Sequence, residues 1–96
     1  MPSVVQSQTF SEWLAKLGDT NAVARIAARI RRMELGNAGD AKSVGGGVSE
    51  MRIDYGPGYR VYFTKKGKDI VILLCGGIKN SQKRDIEAAR KLAKEA

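Results

Sequence analysis

Apolar and polar residues alternate most clearly across residues 48–64. Met51, Ile53 and Tyr55 fall on one parity, Glu50, Arg52 and Asp54 on the other. Beyond Gly56-Pro57-Gly58 the alternation resumes, with Tyr59, Val61 and Phe63 set against Arg60, Tyr62 and Thr64. Successive side chains of a strand point to opposite faces. The stretch therefore predicts two antiparallel strands joined by a tight turn. A buried sheet face collects the apolar parity of both strands, which leaves Arg52, Arg60 and Tyr62 together on the other, open face.

Either side of this hairpin the period changes. Residues 4–9 alternate weakly and predict a short first strand. Thr9-Phe10-Ser11-Glu12 reads as a capping box, and Phe10, Trp13, Leu14 and Leu17 follow at helical spacing. Gly18 ends that helix. Asp19 or Thr20 caps a second, reaching about residue 35, with Val23, Ile26, Ala27, Ile30 and Met33 as its apolar stripe. So short a connection predicts a helix hairpin packed on the sheet. Residues 36–47, rich in glycine, read as a loop. After a turn at Lys66-Gly67-Lys68, residues 69–75 are apolar on both parities and predict an internal strand, the third of a meander. Gly76-Gly77 then release a polar, basic loop, and Asn80 or Ser81 caps a last helix over residues 82–94. Its apolar face is poor, which predicts loose docking or ordering by a partner. The fold class expected is α+β: an N-terminal strand and helix hairpin packed on a small, mainly antiparallel sheet, plus a C-terminal helix.

At 96 residues the chain is expected to be one domain, 1–96. No apolar run approaches the ~20 residues of a membrane helix, and the first residues lack the pattern of a secretory signal. Cys75 is the single cysteine and histidine is absent. An intrachain disulfide and a zinc site are thereby excluded, and a reducing cytoplasm is the expected compartment. Cys75 reads as a small buried hydrophobe, since no histidine is there to activate it. The formal charge is +7, from 17 Lys and Arg against 10 Asp and Glu. Such an excess points to a polyanionic partner, nucleic acid first and an acidic protein second. Lys42-Ser43 follows Ala41 where a Walker loop needs glycine, so no nucleotide site is read there; Lys42 adds to the basic surface. Arg25, Arg29 and Arg32 form a row on the second helix, read as a solvated face in preference to an RNA contact.

Two guanidiniums on a rigid sheet are a place to hold phosphate. The residues around them carry a resemblance. Val44-Gly45-Gly46-Gly47-Val48-Ser49-Glu50-Met51-Arg52-Ile53, then Tyr55-Gly56-Pro57-Gly58-Tyr59-Arg60-Val61-Tyr62-Phe63, then Leu73-Leu74-Cys75-Gly76-Gly77-Ile78-Lys79 resemble the addiction module killer group, HigB-like toxins of the RelE/ParE superfamily. The resemblance extends over residues 10–93. It implies a RelE-like fold and a type II toxin. It also implies ribosome-dependent, metal-independent mRNA cleavage through the ribose 2′-hydroxyl, with no cofactor. By position it places the family's basic residues on Arg52, Arg60 and Lys79. Proton transfer stays open among Lys79, Tyr62, and Glu50 or Asp54, the last two having orientation of Arg52 as their alternative role. Gln82, Lys83 and Arg84 are candidates for holding the RNA backbone. The implied partners are a helix-turn-helix, HigA-like antitoxin, the ribosome and mRNA. Operator DNA would be bound through the antitoxin in a higher-order complex. The alternatives are a ParE-like inhibitor of DNA gyrase and an inactive RNA- or protein-binding module. The chain lacks the histidine and C-terminal tyrosine of several relatives.

Overall fold

The chain enters through β1 (Ser3–Gln6), which pairs in parallel with β5 (Ile70–Ile78), Val5 lying opposite Ile72. The computed structural model describes residues 2–96. Between these strands run α1 (Gln8–Ala15), α2 (Thr20–Glu34), β2 (Ala41–Gly45), β3 (Val48–Ile53) and β4 (Tyr59–Lys66). A single 3-10 turn (Lys79–Ser81) leads from β5 into α3 (Gln82–Glu95). The five strands form one sheet in the order β1-β5-β4-β3-β2, antiparallel except for β1. This is the expected α+β architecture of RelE-like type.

Both sheet faces are covered. On one, Met51, Ile53, Tyr59, Val61, Phe63 and Leu73 pack against Phe10, Ile26 and Met33 of the two N-terminal helices. On the other, Val48, Tyr62, Leu74 and Cys75 pack against Ala89 of α3, with Ile86, Leu92 and Ala93 alongside. The predicted parity holds for both β3 and β4. A bulge in the β4–β5 ladder sets Tyr62 opposite Cys75 and Phe63 opposite Leu73. Leu74 and Cys75 therefore both face α3, because an extra residue resets the alternation.

Several boundaries differ from expectation. The first helix is capped by Ser7, not Thr9: Ser7 Oγ accepts from the Phe10 N–H at 3.1 Å and donates to the Leu74 carbonyl at 2.7 Å. The cap falls there because β5 holds the Ser7 backbone, whose N–H donates to the Leu73 carbonyl. Asp19 caps α2 as expected, accepting from the N–H groups of Asn21 and Ala22. The glycine-rich stretch is not all loop, since residues 41–45 add an edge strand along β3. That strand is short, bulged and polar, so it lacks a period-two signature.

Gly76 and Gly77 do not release the chain; they lie inside β5. The Trp13 ring rests where a Gly76 side chain would stand, and the Asp85 carboxylate where a Gly77 side chain would. These glycines are needed for close approach by α1 and α3. Nor is α3 loosely held. Its Arg90 donates to the Val44 carbonyl beside the β2–β3 turn, and Gln82 donates to Glu50. No Ser81 side-chain cap is made; Ser81 Oγ bonds Asp85 instead.

Candidate functional site

Arg52 and Arg60 are direct partners across β3 and β4, so strand pairing alone brings the two guanidiniums to one face. The expectation that this face is open needs correction, because α3 covers much of it. The Arg52 side chain is 38% exposed but that of Arg60 only 11%. Both line a pocket of about 500 Å³ with Lys79, Asp40, Asp54 and Gly58. The pocket wall is the 56–58 turn. Gly58 has φ +79°, and a Cβ there would stand 3.3 Å from Lys79 Cβ and 3.5 Å from Arg60 Nη1. Glycine is thus favoured there by the left-handed backbone conformation, while a side chain would press closely only on Lys79.

Arg52 is not oriented by Glu50 or Asp54. A single oxygen of Asp40, just before β2, accepts from Arg52 Nη2 at 2.8 Å and from Nε at 3.2 Å. Asp40 escaped sequence reading because the stretch around it showed no strand signal. Its backbone is tied in turn: the Arg52 N–H donates to the Asp40 carbonyl. Arg29 Nη2 donates to the Ala38 carbonyl at 3.0 Å, while Nη1 donates to the Arg52 carbonyl. Arg29 therefore fastens α2 to the site rather than facing solvent. Arg25 is also engaged, its guanidinium 4.6 Å above the Tyr55 ring, a cation–π distance.

Arg60 is held differently. Its Nη1 donates to the carbonyls of Gly58 at 3.4 Å and Tyr59 at 3.3 Å. Its Nε lies 3.7 Å from Oε1 of Glu50, a fully buried carboxylate. The other Glu50 oxygen accepts from Gln82 Nε2 at 2.5 Å.

The remaining candidates scatter. Tyr62 stands on the arginine face but is fully buried under α3, and its hydroxyl has no partner among the described residues. Burial first, then the nearby Glu50 and Asp85 carboxylates, push its pKa well above the ordinary phenol value. So enclosed a hydroxyl is not placed to exchange a proton with a molecule in the pocket. Gln82 turns inward to Glu50. Lys83 and Arg84 are exposed and line a separate surface hollow of about 380 Å³ with Asn80 and Ser81. Lys42 is exposed on the edge strand, opposite Glu50 in register. Cys75 is buried, and desolvation, then Asp85, push its thiol up to about 12. Among the described residues, no three of histidine, cysteine, aspartate and glutamate converge as metal ligands would. No helix of the described residues is long and apolar enough to cross a membrane.

What the geometry brings together is two forked donors and an ammonium around one pocket, with carboxylates at its rim. Comparison with known proteins bears on its meaning. The chain is 53% identical over 87 residues to an uncharacterized protein of Haemophilus influenzae, an alignment that covers 91% of this chain and 88% of that one. Residues 12–95 match the family described as "Phage derived protein Gp49-like (DUF891)". The chain therefore belongs to the Gp49-like family of phage-derived proteins, a toxin–antitoxin-associated family of RelE-like fold.

Proposed function

We propose that this protein is the toxin of a type II toxin–antitoxin pair and a ribosome-dependent mRNA endonuclease of HigB-like type. The observation that carries the reading is the convergence of Arg52, Arg60 and Lys79 on one pocket. In such a reaction the 2′-oxygen attacks the adjacent phosphorus as the bond to the 5′-oxygen breaks, leaving a 2′,3′-cyclic phosphate. Negative charge builds on the phosphoryl oxygens. Guanidiniums already aimed at those oxygens stabilise the transition state more than the ground state. Arginine stays charged and cannot serve as the base. Asp54, at the pocket rim, can accept the proton of the 2′-hydroxyl. Lys79, as an ammonium, can donate to the departing 5′-oxygen. Lys42, Lys83 and Arg84 lie outside the pocket on exposed positions, where they can bind flanking phosphates. No cofactor enters this scheme.

Family membership implies a cognate antitoxin. We take it to be a helix-turn-helix, HigA-like protein that covers the pocket or blocks entry to the ribosome. It would carry the complex to operator DNA.

The experiment is induction of the chain followed by mapping of transcript 5′ ends by primer extension. Cuts within translated codons, absent in Arg52→Ala and Lys79→Ala, are the expected result. Growth arrest with intact transcripts overturns the reading. Inhibited gyrase supercoiling by the purified protein would then replace it with a ParE-like one.

A further inference from the structure

Arg60 is the one pocket cation whose charge is almost enclosed, and what encloses it is specific. Glu50 is fully buried, with no exposed atom in its side chain. One of its oxygens is taken by Gln82, the first residue of α3. The other, Oε1, has no hydrogen-bond partner among the described residues, and neither does Arg60 Nε, which faces it at 3.7 Å. Among the described residues, the other restraints on the guanidinium are long contacts from Nη1 to two carbonyls of its own turn. Charge-assisted N–H···O contacts are ordinarily about 2.7–2.9 Å. Arg60 is thus steered by charge from behind while its fork keeps most of its hydrogen-bonding capacity for the pocket.

We infer that Glu50 is a positioning residue for the Arg60 guanidinium, and that Gln82 fixes which Glu50 oxygen faces it, so that the seating of α3 sets the geometry of the site. A carboxylate in the interior is costly unless paired and hydrogen-bonded. Here the pairing places a cation at the pocket's inner wall, and the hydrogen bond links that cation to a helix from another part of the chain. The catalytic consequence rests on the nuclease reading above; the positioning itself does not.

The test is nitrogen-15 NMR of the arginine Nε–H signals in the full-length chain, comparing wild type, Glu50→Gln and Gln82→Ala. Glu50→Gln keeps shape and amide hydrogen bonding but removes the charge. The expected result is a displaced Arg60 Nε–H signal in Glu50→Gln and at least about tenfold faster solvent exchange, following loss of the buried charge partner. A smaller displacement is expected in Gln82→Ala, with the Arg52 signal unmoved in both. In the ribosome assay Glu50→Gln should lower kcat with KM nearly unchanged. A folded Glu50→Gln protein whose Arg60 signal stays in place overturns the inference, whatever its activity. Should Glu50→Gln fail to fold, Gln82→Ala decides: an unmoved Arg60 signal there overturns it equally. Displaced signals alongside a wild type that cuts no RNA would uphold the positioning and overturn only the nuclease reading.

Discussion

Arg52 and Arg60 stand opposite each other on neighbouring strands, yet one carboxylate holds the first at the surface and another holds the second inside. The Arg52–Asp40 contact is 2.8 Å long but exposed, whereas the Arg60–Glu50 contact is 3.7 Å long and buried. Solvent screens the first pair, so losing it costs about 0–1 kcal/mol. Losing one partner of the second strands a buried charge, at about 3–5 kcal/mol.

Alanine at the two positions should therefore separate activity from stability. Arg52→Ala should lower cleavage by about 10²–10³-fold, the scale of losing one donor to a developing oxyanion, with a nearly unchanged urea midpoint. Arg60→Ala should lose activity and also unfold at clearly lower urea. Equal midpoints for the two variants would contradict the burial argument.

Tyr62 offers a contrasting case. Its hydroxyl is buried without a partner among the described residues, an arrangement whose desolvation costs about 1–3 kcal/mol. Tyr62→Phe removes that penalty and keeps the ring packed under α3. Its thermal midpoint should equal or exceed that of the wild type, and cleavage should persist. Abolished cleavage in a folded Tyr62→Phe protein would return the phenol to the chemistry.

Gly76 is filled from outside by Trp13. Gly76→Ala puts a methyl group into the indole and should cost about 1–3 kcal/mol through overpacking. Gly67→Ala meets no neighbour within 4 Å and strains only its own backbone, at φ +67°, a penalty of about 1–2 kcal/mol. Relieving the clash with Trp13→Leu should restore part of the Gly76→Ala loss but none of the Gly67→Ala loss. Thermal unfolding of the singles and doubles measures this.

Stability should fall in alkali. The Cys75 thiol titrates near 9.0 when exposed but near 12 in the fold. Above pH 9 the unfolded chain releases a proton that the folded chain retains, so rising pH favours unfolding. The loss develops between about 9 and 12, and Tyr62, also shifted upward, adds to it above its ordinary 10.0. Urea midpoints should decline across that window, less steeply in Cys75→Ala. In native buffer at pH 8 the thiol should resist Ellman's reagent until denaturant is added.

Much of this molecule was legible in the sequence because its signals are local. The alternation on either side of Gly56-Pro57-Gly58 paired Arg52 with Arg60, and the bond from Asp19 to the start of α2 needed only neighbours in sequence. The failures have a common origin. Ser7 displaced Thr9 as a cap because a strand more than sixty residues away holds its backbone. The edge strand at 41–45 exists only because β3 offers it a ladder, and with it went unseen Asp40, the partner of Arg52.

The sequence by itself determined which residues share a strand face, since that follows from a backbone that flips at every residue. It also determined the excess of positive charge and the absence of histidine. Only the tertiary structure decided which of those residues meet water. The seating of α3 over the arginine face buries Glu50 and Tyr62, leaves Arg60 a narrow opening, and leaves Arg52 partly exposed and Lys79 in solvent. Burial depends on what packs above a side chain, and that partner is contributed from far along the chain.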